Sequence, residues 1–364
     1  MLRSPSRGPQ AGDPTTTGSR SRPPPCSREA RAWGVRGVTV ARKALPPARA
    51  EYPRAMTLAD TSRPFRFGLV TTSGTEESKT AWTSYARKVE DLGFDVLQVA
   101  DHFGNSTVCT PRLAAAAAVT TTLRVGSYVY DNDFRHPVLL AREAAEIDRM
   151  SGGRMELGIG AGWSRSEYEM VGIPFDEGPV RASRYEEAVE IVRRLHLGEK
   201  LDWAGDHYQL NGCELLVEPA QRPIPLLLGG GGPRMTRLAA RWADTVAFVP
   251  KSLPRGGLDP TEFSRSAFDH KISVLEAALQ QRTTTPPERA ALVFGLHRSS
   301  DEIPLEDWTS REIAATSPYY LVGDRARVVD EILARRDRWG ISHWTFWEED
   351  IDSAAPIVER LRGQ

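Results

Sequence analysis

The sequence predicts one closed (β/α)8 barrel of the TIM type, an α/β fold with insertions, preceded by a disordered amino-terminal tail. Three observations predict it. From Phe65 onward, short apolar runs alternate with amphipathic stretches, the pattern of parallel strands crossed by covering helices. Eight such strand–helix units can be traced, which favours closure into a barrel over an open doubly wound sheet. The chain of 364 residues also leaves ample length, since such a barrel takes about 250 residues before insertions.

Phe65–Thr71 reads as the first strand, and Thr80–Leu92 as the helix crossing back. Phe94–Ala100 is the second strand, followed by an alanine-rich helix around Leu113–Val119 whose small residues allow close packing on a sheet. Leu123–Tyr130 is the third strand. The helix Pro137–Met150 carries proline in its first turn, where the missing N–H costs nothing, and His136 leads into it. Ser151-Gly152-Gly153 then turns the chain into a fourth strand, Arg154–Gly160. Here the rhythm breaks. Residues 163–180 read as a long loop, ahead of a helix at Arg181–Leu197 and a hairpin over Asp202–Leu210 turning at Ala204-Gly205. Pro225–Leu228, Thr245–Val249 and Ala291–Leu296 are the fifth, sixth and seventh strands; helix Pro233–Arg241 follows the fifth and another lies within 251–290. Arg325–Trp339 is a helix with a solvated arginine face, Ile341–Trp347 is the eighth strand, and Ala354–Leu361 is the last helix. Trp339, Trp344 and Trp347 read as core and rim packing.

The formal net charge of -1 hides an asymmetry. Residues 1–55 hold eleven Arg or Lys, three Asp or Glu and nine prolines, with almost no large aliphatic side chains. Such a segment buries too little apolar area to offset its ordering entropy. It lacks the apolar stretch of a secretory signal, and Met56 is expected to be the natural start. Without these residues, the totals of 47 basic and 48 acidic side chains become a body of about −9, mildly acidic and cytoplasmic in character. That balance disfavours nucleic-acid or membrane partners recruited by bulk charge, and no apolar run reaches the roughly 18 residues of a membrane span. Cys26, Cys109 and Cys213 are widely spaced, which gives neither a disulfide framework nor a metal site.

In barrels of this type the working residues sit where strands end and the following loops begin. Three such points are unusual here. Gly229-Gly230-Gly231-Gly232 lies between a buried strand and a helix opening at Pro233, an arrangement that aims N–H groups and the positive end of a helix dipole at an anion. A plain flexible turn would need one or two glycines, and no Gly-Lys-Ser/Thr follows to make a P-loop. Arg234 and Arg237 are candidate helpers or solvated surface. The segment 157–163, Leu-Gly-Ile-Gly-Ala-Gly-Trp, contains glycine spacing found in dinucleotide sites, but the long following segment contradicts that reading. A flat ring against exposed backbone explains its glycines as well. Asp101-His102 ends the second strand; alternation sends the two side chains to opposite sides, and His102 faces inward if Val96, Gln98 and Ala100 do. A rim histidine can exchange a proton near neutral pH, or merely cap the next helix.

The segments 100–103 (ADHF), 134–163 (FRHPVLLAREAAEIDRMSGGRMELGIGAGW) and 226–235 (LLLGGGGPRM) resemble the luciferase-like monooxygenase superfamily, in particular its actinobacterial branch that uses the 5-deazaflavin coenzyme F420. The likeness spans about residues 64–362. It implies a (β/α)8 barrel, a coenzyme in the barrel mouth and a homodimer. Carried over by position, His102 matches the family's active-site histidine and Asp101 its acidic neighbour. Gly160-Ala161-Gly162 matches backbone bordering the coenzyme, with Trp163 beside it, and Gly230-Gly231-Gly232 matches the phosphate-binding turn. Tyr128–Val129 matches a position that often carries a non-proline cis bond at the ring face. The sequence also departs from the family's glucose-6-phosphate dehydrogenases. Trp163 stands where those enzymes have a proton-donating glutamate, and Asn105 and Ser106 stand where they have a tryptophan after the histidine. Both departures argue against a sugar-phosphate substrate. Asp131-Asn132-Asp133 is polar where many relatives are apolar, and is expected to shape the entrance.

The expected function is therefore an F420-dependent oxidoreductase that passes a hydride between the deazaflavin and a small organic substrate, with His102 moving the proton and Asp101 positioning it. An FMN-dependent monooxygenase makes nearly the same demands on the sequence. A coenzyme-binding protein without turnover is the reading outside enzymology.

Overall fold

The computed structural model describes residues 61–72, 78–104, 107–303 and 310–364, all within one compact unit, Pro46–Gln364. The expected tail 1–55, its Met56 and the pair Asn105 and Ser106 lie outside the described residues.

Strand β1 (Arg66–Thr71), helix α1 (Lys79–Asp91), β2 (Val96–Val99), α2 (Cys109–Val119) and β3 (Arg124–Ser127) open the chain in strict alternation. A two-residue strand β4 (Tyr130–Asp131) continues the line of β3 after a cis peptide between Tyr128 and Val129. Then come α3 (Pro137–Ser151), β5 (Met155–Gly160), α4 (Arg165–Val171) and α5 (Gly178–His196), and the hairpin β6 (Leu201–Ala204) with β7 (Gln209–Cys213). Strand β8 (Leu226–Gly229), α6 (Pro233–Trp242), β9 (Thr245–Phe248), α7 (Arg265–Leu279) and β10 (Glu288–Leu292) follow. A short pair, β11 (Gly295–His297) and β12 (Tyr320–Val322), brackets α8 (Arg311–Thr316), and α9 (Arg325–Trp339), β13 (Ile341–Trp347) and α10 (Ile351–Leu361) end the chain.

All barrel pairings are parallel. The order β3-β2-β1-β13-β10-β9-β8-β5 closes because β5 also pairs with β3, giving the eight-stranded barrel expected from the sequence. Its strands are buried on both faces, as a parallel sheet filled from within and walled by helices requires. The helices begin and end for local reasons. α3 starts at Pro137 with the His136 ring accepting the Val138 N–H at 3.3 Å, and stops at Gly152, whose φ of 70° is left-handed. Asp324 caps α9 by accepting the Arg327 N–H at 2.9 Å, and Gly340 ends it at φ 69°.

Two apolar layers result. The larger lies between strands and helices and includes Trp339 and Trp344, in keeping with their reading as packing residues. The smaller lies inside the upper barrel, where Val70, Ala100, Tyr128, Leu227, Ala247, Ala290 and Leu292 meet, with Trp347 at its edge. Among the described helices none is long and apolar enough to cross a membrane.

Four expectations need correction. Residues 163–180 are not one loop: α4 lies within them, opening after Ser164 and stopping at Gly172 with φ 73°. The seventh strand starts at Glu288 rather than Ala291, because its charged first residues point into an ion-paired barrel floor. Residues 295–297 leave the barrel to pair with β12. The arginine face of α9 is not wholly solvated, since Arg335 is buried and donates to the Pro318, Ser317 and Tyr320 carbonyls.

Candidate active site

The C-terminal ends of the strands bring the expected residues to one mouth. His102 leaves the end of β2 with its Nδ1 at 2.9 and 3.0 Å from the two carboxylate oxygens of Glu167. Glu167 also accepts the Phe103 N–H at 3.1 Å, so the carboxylate fixes both the ring and the backbone beside it. An ionised carboxylate can only accept, so Nδ1 carries the hydrogen in this pair. That leaves Nε2, which has no partner among the described residues, as the ring's free lone pair. The Trp163 ring stands edge-on to the imidazole, centroids 5.8 Å apart at 80°.

Asp101 turns the other way, as strand alternation requires. Its carboxylate takes two hydrogen bonds from Arg135, at 2.5 and 3.1 Å, and one from the Asp131 N–H at 3.2 Å. It therefore joins the end of β2 to the loop after β4 and has no direct contact with His102.

The polar segment 131–133 belongs to a buried network. Arg184 of α5 grips Asp133 at 2.8 and 2.7 Å. The Tyr168 hydroxyl lies 2.9 Å from Asp131 and 3.1 Å from Asp133. One phenol hydrogen cannot satisfy two charged acceptors. Burial pushes the Asp131 carboxyl up to about 7, with the Asp133 charge adding to the push, so near neutrality Asp131 can supply the second hydrogen itself. The network ties α4, which carries Glu167, to the third barrel strand.

The Tyr128–Val129 peptide is cis and borders the apolar layer inside the upper barrel. The Tyr128 hydroxyl is buried without a hydrogen-bond partner among the described residues, and burial pushes its pKa upward. A buried polar atom left in this state is a natural point for a bound polar edge.

The glycines divide into two kinds. A Cβ at Gly158 would lie 2.0 Å from the Ser127 carbonyl, and one at Gly231 would lie 2.3 Å from the Lys251 backbone. Those positions serve the protein's own packing. A Cβ at Gly232 meets nothing within 4 Å, and Gly232 is the N-cap of α6 without a side-chain cap or an acidic first turn. Pro233 opens that helix, Gly229 ends β8 beneath it, and the first N–H groups of α6 are left for an anion. Arg234 does not help, because its guanidinium is held by Glu186 at 2.7 and 2.6 Å. On the opposite rim, Gly160, Ala161 and Gly162 follow β5, and Trp163 beyond them is 42% exposed. An apolar floor, an orphaned hydroxyl and an uncapped helix start together fit a flat ring bearing an anionic side chain.

Glu167 is the residue that sequence reasoning missed. Its signal was Ser164-Arg-Ser-Glu167, the S-x-x-E pattern of a helix start, which the reading of 163–180 as a loop passed over. In the structure Glu167 does not fold back on its own helix but reaches His102.

A model of a protein family described as luciferase-like monooxygenase matches residues 64–257, more than half of the chain. A 5,10-methylenetetrahydromethanopterin reductase of Archaeoglobus fulgidus is 35% identical over 194 residues, which cover 51% of this chain and 56% of that protein. An F420-dependent glucose-6-phosphate dehydrogenase of Beutenbergia cavernae is 32% identical over 314 residues, covering 77% of this chain and 93% of that one. The coenzyme F420 dependent tetrahydromethanopterin reductase of Methanopyrus kandleri has a similar fold, with a TM-score of 0.66 at 18% identity over 82% of this chain and 99% of that chain. The barrel, the site at its mouth and the extent of these matches agree: the chain belongs to the luciferase-like monooxygenase family.

Proposed function

We propose that the chain is an oxidoreductase using coenzyme F420, and that it moves a hydride between the deazaflavin ring and a small organic substrate with His102 as proton donor or acceptor. The observation that carries this reading is His102 itself. Its Nδ1 is fixed by Glu167 and its Nε2 is left available at the barrel rim. The coenzyme part is supported by F420 in the names of relatives, including the Beutenbergia cavernae dehydrogenase, whose length the chain nearly spans.

When bound, the coenzyme supplies a ring carbon that gives or takes a hydride. The chain supplies the rest. Tyr128 and Val129 back the ring, Gly160, Ala161, Gly162 and Trp163 border one rim, and Gly229, Gly230, Gly231, Gly232 and Pro233 form the turn that receives the phosphate. Reducing a carbonyl to an alcohol needs a hydride at carbon and a proton at oxygen. Nε2 of a protonated His102 can deliver that proton, and the reverse reaction returns it. Glu167 keeps the ring aimed and balances the charge when both nitrogens hold hydrogen. Asp101 acts at one remove, through Arg135 and the Asp131 backbone. Trp163 and Phe103, 42% and 46% exposed beside His102, offer an apolar wall and no second carboxylate, which suits an apolar substrate better than a sugar phosphate.

Titrating the purified protein with F420 and with FMN, followed by fluorescence, tests the reading. Saturable F420 binding is expected, with weaker FMN binding. Tight FMN binding with no response to F420 would replace the reading with that of an FMN-dependent monooxygenase.

A further inference from the structure

Beside the glycine turn, on its outer side, a cavity of about 590 Å³ opens between α6 and α7. Gly231 and Pro233 form one wall, so it is continuous with the turn proposed to receive the coenzyme's phosphate. The rest is polar and mostly cationic: Lys251, His270 and Lys271 line it, together with Thr261 and Ser266. Lys251 follows β9, is exposed and forms no ion pair among the described residues. Lys271 is only 4% exposed and is held at the wall by Glu262, the one acidic residue lining the cavity. Burial pushes the Lys271 ammonium down to about 8; Asp259 opposes that fall and Lys251 adds to it. Two lysines thus face one hollow closely enough to disfavour each other's charge, an arrangement that an anion relieves.

Taking the F420 reading above as given, we infer that this cavity holds the carboxylate-bearing tail that coenzyme F420 carries beyond its phosphate. A ligand whose phosphate sits at Gly232 and Pro233 passes Gly231 on its way out of the barrel mouth, and the next polar surface along that wall is the lysine-lined cavity. FMN ends at its phosphate and leaves the cavity unused. The cavity is therefore a place where the chain can distinguish the two coenzymes without touching either ring.

The test compares dissociation constants, read from coenzyme fluorescence, for F420 with several glutamates and for the same deazaflavin truncated at its phosphate. The tailed form is expected to bind about tenfold more tightly at low salt, the scale of a few partly exposed charge pairs, with the advantage shrinking as ionic strength rises. Lys251→Ala combined with His270→Ala should abolish that advantage and leave the truncated form's affinity unchanged; both side chains are exposed, so the double variant is expected to fold, which its thermal melt checks. Equal binding of the two forms by the unaltered protein overturns the inference. So does a variant that weakens both forms alike, since the lysine would then serve the phosphate. If neither form binds, the coenzyme reading itself falls, a result distinct from equal binding.

Discussion

The two ends of the barrel use charge in opposite ways. At the N-terminal end, Arg66 bridges Glu156 and Glu288, at 2.5 and 2.8 Å, Arg124 also holds Glu156, and the buried His343 lies 3.4 Å from Glu288. These groups line a cavity of about 470 Å³, yet each is committed to its neighbours. Burial would raise the Glu156 carboxyl, and the two arginines hold it below the usual range. At the C-terminal end the pairs are incomplete. Glu167 binds only one nitrogen of His102, the Tyr128 hydroxyl lacks a partner among the described residues, and α6 starts without a side-chain cap. A hollow lined with charge is thus a poor guide to function when the charges are satisfied. Atoms left available mark the working end.

The largest expected effect separates the ends directly. His102→Ala should lower turnover of any accepted substrate by about 10²–10⁴-fold, the range for losing a general acid or base, while the melting temperature moves by roughly 2 °C or less. Unfolding instead of inactivation would make the top a structural network like the bottom. The converse substitution, Glu156→Gln, strands two buried guanidiniums. It should cost about 3–5 kcal/mol of stability, a drop of roughly 10 °C in a thermal melt, with turnover per folded molecule unchanged.

Smaller effects refine the contrast. Glu167→Gln removes the charge behind His102 and should reduce turnover by about tenfold and alter its pH profile, with coenzyme affinity retained; a purely structural Glu167 would leave the profile in place. Gly232→Ala adds a methyl to open space at φ −101°, so the melt should be unchanged while coenzyme affinity falls several-fold. An unaltered affinity would move the phosphate away from this turn.

The last test uses pH. Asp131 has its pKa raised to about 7, so its stabilising effect is full at low pH and is lost as pH rises through neutrality. Glu288 at the other end is held down at about 2, by the His343 hydrogen bond and the Arg66 charge against the opposing effect of burial, so its contribution is lost only as pH falls toward that value. Melts of the protein and of Asp131→Asn at pH 5 and pH 8 should differ. The asparagine variant should gain about 2 °C or more relative to the parent at the higher pH. No change in that difference would place the Asp131 titration outside the pH 5–8 window.

Much of the barrel was legible because its signals are local. Apolar runs gave the strands, Pro137 and Gly152 bounded α3, and Asp324 and Gly340 bounded α9. Where reading failed, a longer-range contact was responsible. Glu288 begins a strand that looks too polar to be one, because Arg66 and His343 arrive from strands more than fifty residues away in each direction. Arg335 looks like surface because the carbonyls that bury it come from a separate segment, 317–320. Helix α4 was legible in principle from Ser164, Glu167 and Gly172, but a helix of seven residues is too short to show a periodic apolar face.

The sequence by itself determined the alternation of strands and helices, and it picked out His102, Asp101 and the two glycine rims by their positions at strand ends. Only the tertiary structure decided what those residues do with one another. It turned Asp101 toward Arg135 and gave His102 to Glu167, 65 positions further along the chain. It also separated glycines required for packing, such as Gly158 and Gly231, from Gly232, which faces open space. The reason is physical: strand and helix patterns follow from neighbouring residues, whereas hydrogen-bond partners and free volume depend on which distant segments the closed barrel brings within a few ångströms.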